Sequence, residues 1–538
     1  MKLQSLLTAG VLAAVLLTSS AEAYAQSISR SGREMQQATM KAYDKLIAEN
    51  PKDFKTLYSR GNGYYRQNQF GKALNDVNAA IQAAPDTDKG FLFDAYSLRA
   101  GIYEQLGKYS EALADYRKAL TYSPDDYATM YQIGNLEFEK GDYAAAKADY
   151  KALQKLNPRS QEAQFGLARV AIKEGDIAAA QKLCARAVEL DPSHAVSYMR
   201  RASVYRMMGN NADAVDDYAM ALQLDRSVMP AALREMAELA CDDYAAVMTG
   251  LQKTIDKGPR NGVMYYIRGM IAKAHFHYLP AIADFTYIDT NNLLNLPSIY
   301  TELAECYYNL GRYAEALEKA DYAIGSSSHN RDAYVIKSLI KSAQGAYKAA
   351  VENADKAIAK DQAYAPAFIA KGVAQQGMGL YPEASAAFGS ALQADGRYPV
   401  YYFYRGDVLR SHLNMPEQAK QFYGDVLKMD YPAGQVASLK GFAHLMLGDL
   451  AEGDAWIDGL TAAGVKDNDG EIAYYAACYW AQRGDKEKAF KYMEDALKKG
   501  YASYHNWTKA MDGGINVAPL RGDARFDALL DSYGNLFK

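Results

Sequence analysis

"GKYSEALADYRKAL", Gly107 to Leu120, decides the fold, because the chain repeats it with variations. It returns as "GDYAAAKADYKAL" from Gly141, "GRYAEALEKADYAI" from Gly311 and "GLYPEASAAFGSAL" from Gly379. Gly107, Gly141, Gly175 and Gly209 stand 34 residues apart, as do Gly311, Gly345 and Gly379; Gly209 and Gly311 are separated by 102, three whole periods. Pro124, Pro158 and Pro192 keep the same interval, and so do Pro51 and Pro85. The longer step from Pro85 to Pro124 places extra residues in "DTDKGFLF", Asp86 to Phe93. A fixed period of this length marks a stack of similar units, each burying its apolar face against the next.

One period has room for two helices and two turns. Ala100 and Tyr103 precede Gly107 on one helical face, and Ala112, Tyr116 and Ala119 follow it at the spacing of an apolar stripe. Gly107 separates them, at the place where a residue tolerant of positive φ ends a helix. The small residues recur as Ala168, Ala180 and Ala187, as Ala202, Ala214 and Ala221, and as Gly372, Ala384 and Ala391. Such short side chains let helix axes approach closely, so a bulky replacement overpacks the crossing at a cost of roughly 1–3 kcal/mol.

These residues resemble the tetratricopeptide repeat, a helix-turn-helix with small residues at its eighth, twentieth and twenty-seventh positions, aromatics near the eleventh and twenty-fourth, and a closing proline. Tyr64, Tyr103 and Tyr205 take the eleventh position; Tyr116, Tyr150, Tyr218 and Phe388 take the twenty-fourth. The resemblance runs from Phe54 to Gly500. It implies an all-α, right-handed superhelical solenoid of about 12–13 repeats whose inner surface binds peptides or partner proteins. The chain then divides into a cleaved signal peptide at 1–25, a capping half-repeat at 26–53, five repeats at 54–226, degenerate repeats at 227–296, further repeats at 297–432, divergent repeats at 433–500 and a C-terminal cap at 501–538. The tail "PLRGDARFDALL", from Pro519, is similar to one that often closes bacterial chains of this family.

The N-terminus reads as an export signal: Lys2, an apolar run from Leu6 to Leu17, and "AEAYA", with cleavage expected after Ala25. The run is too short for a spanning helix, which needs about 20 apolar residues. The expectation is an exported protein, periplasmic or associated with a bacterial cell envelope, without an integral membrane segment once cleaved. A net charge of -4 lacks the basic excess of a nucleic-acid binder.

Local motifs give no chemistry. HExxH, GxSxG and GxxxxGK[ST] are all missing, and "GMG" at Gly377 to Gly379 falls on a helix turn. "HFH" at His275 to His277 also falls on a turn and reads as turn residues. The RGD triplets at Arg405, Arg483 and Arg521 sit in a helix, across a turn and in the tail. No catalytic residue, metal or cofactor is expected. The pattern is weakest from Arg226 to Pro297, where the turn glycines are replaced; this reads as a change of pitch, or as a dedicated binding surface.

Function then belongs to the stripe beside the core on each first helix. It carries Tyr58, Asn62 and Tyr65, then Tyr131, Asn135 and Phe138, then Phe165, Arg169 and Lys173, then Met199 and Arg206. Asn pairs with an extended backbone in both directions and Tyr supplies area at little entropic cost. Asn62 and Arg169 resemble the carboxylate clamp of specialised family members, but Tyr58 stands where its Lys would be, so that ligand is not carried over. Asp115 and Lys118, on a second helix, read as the opposite, outward surface. The expected function is a non-enzymatic scaffold for protein or peptide partners in an envelope assembly, with homo-oligomerisation left open. A holdase-type periplasmic chaperone is the alternative, and an enzyme with an unrecognised site the third reading.

Cys184, Cys241, Cys306 and Cys478 lie far apart in sequence, and in a solenoid only neighbouring units touch. Thiol titration of the denatured, unreduced protein should therefore find four free thiols; a lower count contradicts the expectation.

Overall fold

The computed structural model describes residues 29–327, 330–429, 435–462, 464–509 and 515–538, without the side chains of 29–37 and 435–436. The signal peptide expected at 1–25 lies outside the described residues, as does part of the expected C-terminal cap. Among the described residues every regular element is helical and none is a strand. The chain is an all-α solenoid of helix pairs, and no described helix is long and apolar enough to cross a membrane.

Two compact units divide near Met229. In the N-terminal unit, helix Ser29–Glu49 precedes five pairs: Phe54–Arg66 with Phe70–Ala83, Lys89–Gln105 with Tyr109–Leu120, Tyr127–Glu139 with Tyr143–Leu156, Gln161–Lys173 with Ile177–Leu190, and Ala195–Met207 with Asn211–Leu224. The C-terminal unit begins with Met229–Lys257, which breaks at Asp243 (φ -154, ψ 75) and so supplies both members of a pair. Pairs then run from Gly262–Ala274 with Tyr278–Thr290 to Glu471–Arg483 with Lys486–Lys498, followed by the short helices Tyr504–Thr508 and Ala524–Ser532.

Backbone chemistry places the turns. Gly107 has φ 69, and around it Lys108 N–H donates to the Tyr103 carbonyl at 2.8 Å, closing the first helix with the reversed bond of a left-handed cap. Equivalent bonds close the helices ending before Asp142, Asp176 and Asn210. Those three side chains then cap the following helix, accepting from the N–H of Ala145, Ala179 and Asp213.

The small positions are closed to solvent: Ala100, Ala112, Ala119, Ala168, Ala180, Ala187, Ala202, Ala214 and Ala221 are all fully buried. At three pairs where glycine takes the eighth position, the aromatic sixteen residues later occupies the vacant space. A Cβ on Gly134 would meet the Tyr150 ring at 2.6 Å, one on Gly269 the Phe285 ring at 2.7 Å and one on Gly372 the Phe388 ring at 2.4 Å. Tyr150 also reaches the next repeat, where a Cβ on Gly166 would lie 2.4 Å from the ring.

A second pairing has the same separation. Arg60 with Asp76, Arg99 with Asp115, Arg201 with Asp217 and Arg268 with Asp284 each join the two helices of one pair through a guanidinium fork donating to both carboxylate oxygens. This corrects the reading of Asp115 as outward: it is buried and receives Arg99 Nε at 2.6 Å and Nη2 at 2.7 Å. Removing it strands a half-buried guanidinium. Lys118 is exposed, as expected.

Ala180 is fully buried while Ala178 is exposed. Ala180→Trp should lower stability by roughly 1–3 kcal/mol or more through overpacking, and Ala178→Trp by less than about 0.5 kcal/mol. Equal shifts in denaturation midpoint contradict the repeat register.

Candidate functional site

The inner stripe of the N-terminal unit resolves into two groups. Tyr58, Asn62 and Tyr65 are half-buried on the first pair, with Tyr58 edge-on to Phe91 at 5.5 Å and Tyr65 tilted on Phe70 at 6.0 Å. The second group converges on Asn135. Its side-chain oxygen accepts from the Tyr150 hydroxyl at 2.7 Å and from Arg169 Nη1 at 3.2 Å. Because a guanidinium can only donate, this fixes the amide with its oxygen toward Arg169 and its NH2 group turned away. Arg169 also pairs with Glu139 at 2.6 Å and stacks over Phe138 at 4.1 Å.

Phe138 and Phe165 are buried rather than open on the stripe. Lys173 is exposed at its helix end, and Met199 and Arg206 are half-buried. Arg200 was missed by sequence reasoning: its guanidinium lies 5.6 Å over Tyr131 and 6.0 Å over Phe165, so one side chain spans two preceding repeats, and it pairs with Glu162 at 3.4 Å. It stands one residue beyond Met199, off the periodic positions used to trace the stripe. Its length is what brings it across.

The C-terminal unit holds a second constellation, in the stretch where the repeat weakens. Lys273 is buried with its ammonium between Glu302 and Glu305, the latter at 2.7 Å. Burial alone would push the Lys273 value down, but the two carboxylates outweigh it and hold the ammonium protonated. The following residues, His275 to His277, do form a turn, but they are more than turn residues. His275 Nδ1 pairs with Asp469 Oδ2 at 2.9 Å, and Phe276 is buried with its ring 4.5 Å from that of Tyr501. His277 stacks on Tyr244 at 4.7 Å and packs against Gly500. Phe276 has φ 62, a left-handed conformation that a bulky residue keeps only where its surroundings over-determine it.

These contacts correct the expectation that only neighbouring units touch. A C-terminal segment from Lys466 to Thr508 lies on the pairs between Met229 and Ser326. Asn468 Nδ2 donates to the Cys241 carbonyl at 2.8 Å, and Lys466 faces Asp242 at 3.6 Å. Further along, Ser503 Oγ donates to Asn309 Oδ1 at 3.2 Å, and the His505 ring nitrogens lie 2.8 Å from both the Tyr308 and the Tyr313 hydroxyls. Arg521 then ties the end of the segment through the Trp507 carbonyl at 3.1 Å. Cys184, Cys306 and Cys478 are buried, and none of the four cysteines is joined in a disulfide.

The docked segment runs along the turn ends of these pairs, at Cys241–Asp242, His275–His277 and Tyr308–Tyr313, and meets the stripe at Tyr308. With Ala304 as the small eighth residue of its pair, Glu305 and Tyr308 fall at the ninth and twelfth positions, as Asn135 and Phe138 do after Gly134. Among the described residues, no cluster of three or more His, Cys, Asp or Glu side chains could hold a metal ion.

Comparison with known proteins places tetratricopeptide repeats at 93–126, 131–195 and 167–228. Among solved structures, yeast Tom70 is similar over 74% of this chain and 97% of its own at 14% identity, with a TM-score of 0.36. A tetratricopeptide repeat protein from Parabacteroides merdae is similar over 54% of this chain and 99% of its own at 20% identity, with a TM-score of 0.33. YrrB, described as having an unusual peptide-binding site, is similar over 36% of this chain and 96% of its own at 23% identity, with a TM-score of 0.26.

The His275–Asp469 pair predicts a pH dependence. Burial would lower His275, but Asp469 and Cys241 outweigh it and lift it to about 9, while Asp469 is held below the usual carboxylate range. A histidine raised in the folded state contributes stability that is fully present below its ordinary value of 6.5 and lost as pH rises through about 9. Thermal stability of the C-terminal unit should therefore fall between pH 7 and pH 10 by on the order of 2–3 kcal/mol. In Asp469→Asn this fall should be much smaller; an unchanged slope in the variant contradicts the assignment.

Proposed function

We propose that this chain of tetratricopeptide repeats is a non-catalytic scaffold that binds protein or extended peptide segments on the inner stripe of its N-terminal unit, after export to the cell envelope. The observation that carries the reading is internal. On the C-terminal unit one position of this stripe, Tyr308, already receives a non-repeat segment through His505, and the adjoining Asn309 receives Ser503. The corresponding N-terminal positions offer a comparable surface: the Tyr131 face beneath Arg200, and an Asn135 amide whose N–H groups are turned away from its structural partners.

An extended partner supplies backbone carbonyls to the Asn135 and Asn62 amides, and side chains to the Tyr58 and Tyr131 faces. Each such contact contributes about 1 kcal/mol when desolvated. Export rests on the N-terminal sequence pattern and the envelope role on export.

Joint replacement of Tyr58, Asn62, Tyr131 and Asn135 by Ala should weaken capture of partners from envelope extract by more than about tenfold with helical content nearly unchanged. Glu111→Ala with Lys118→Ala, two exposed second-helix positions, is the control and should capture as the wild type does. Undiminished capture by the stripe variant contradicts the proposal.

A further inference from the structure

Three of the chain's seven histidines, His275, His277 and His505, gather where the C-terminal segment lies on the pairs from Gly262 to Ser326. Two of them are built into the contact as neutral rings. His505 is enclosed between the Tyr308 and Tyr313 hydroxyls, both at 2.8 Å. A neutral imidazole satisfies this pair, one ring nitrogen donating and the other accepting. The charged groups facing it are the cations Lys509 and Arg521, so a proton on His505 would be a buried positive charge among like charges.

His277 is enclosed by the Tyr244 ring and Gly500, with His275 beside it. Asp469, the nearby carboxylate, is engaged by His275 Nδ1. His275 also faces the Cys241 thiol and the Tyr244 ring.

We propose that the segment Gly500–Thr508 is an acid-released latch, docked on the turn ends of the C-terminal unit at His277 and Tyr308–Tyr313 while His277 and His505 are neutral and freed when they take up protons. Its release uncovers Tyr308, Asn309 and Tyr313, which form a second surface for an extended segment. The latch does not depend on the role proposed for the N-terminal stripe.

The titration supports the direction. Burial and the His275 charge lower His277 to about 4, and burial with Lys509 and Arg521 lowers His505 to about 3. A base depressed in the docked state binds protons more strongly once released, so docking weakens as pH falls below the ordinary value of 6.5. Between pH 7.5 and pH 5 a ring fully uncovered on release shifts the balance toward release by roughly 30-fold. His275 keeps Asp469 and Cys241 when the latch leaves and so does not oppose it; with His505 fully uncovered and His277 losing only Gly500, the net shift is on the order of 100-fold.

Hydrogen exchange on the full chain tests this, with rates corrected for the intrinsic effect of pH and helix Ala365–Gly377 as an internal reference. The opening constant of Tyr501–Thr508 should rise on the order of 100-fold from pH 7.5 to pH 5, while the reference changes less than about tenfold. In His277→Gln with His505→Gln the rise should disappear. Should the double variant fail to dock at pH 7.5, His277→Gln alone should show a response reduced severalfold. Where neither variant docks, the wild-type profile against its reference helix decides. Unchanged protection in the wild type, an undiminished response in a docked variant, or equal opening of the reference helix each overturns the proposal.

Discussion

An aromatic ring seated where a neighbouring residue has almost no side chain sets the spacing of the solenoid. Tyr150 lies against Gly134 within its own pair and against Gly166 in the next, at distances that leave no room for even one methyl group. The same contact recurs between Gly269 and Phe285 and between Gly372 and Phe388. The ring and the small residue sit on the two helices of one pair, so this contact fixes how closely those helices approach, and a ring touching the following pair carries the spacing onward. The Arg–Asp forks at the same separation, such as Arg201 with Asp217, then fix rotation about the crossing. The core also reaches the surface: the hydroxyl of Tyr150 emerges to hold Asn135, so the orientation of a stripe amide is set by a core ring.

The features that repeat were legible in the sequence. Ala100, Ala112 and Ala119 return at a constant interval, and a constant interval is what a stack of identical contacts leaves behind. Asp115 was misread because a lone carboxylate on a helix looks solvated. The signal that identifies it was present, since Arg60, Arg99, Arg201 and Arg268 each precede an Asp by sixteen residues. Phe138 and Phe165 were placed on the stripe by periodicity and are buried because they pack into the core, Phe138 with Tyr150 and Phe165 with Ala168, beneath Arg169 and Arg200, which period alone does not encode.

The docked C-terminal segment had no periodic trace at all. Its contacts join residues nearly two hundred positions apart, such as Tyr308 with His505. Two local departures pointed toward it: the loss of the turn glycine at Phe276, and the aromatic-rich run "YASYHNW" from Tyr501. The irregularity between Arg226 and Pro297 is therefore a docking surface whose occupant is the chain itself. The kink at Asp243, the buried Lys273 between two carboxylates and the His275–Asp469 pair all lie in that stretch.

The stripe thus appears in two conditions, covered at Tyr308 on the C-terminal unit and open around Asn135 on the N-terminal unit. The central claim is that recognition uses the open one. Amide hydrogen exchange of the full chain at neutral pH, with and without a partner recovered by capture, tests it most directly. The predicted result is added protection on the first helices Tyr127–Glu139, Gln161–Lys173 and Ala195–Met207, with helix Ser298–Asn309 and the segment Tyr501–Thr508 unchanged. Protection confined to the C-terminal unit, or spread over the second helices such as Tyr109–Leu120, would contradict it.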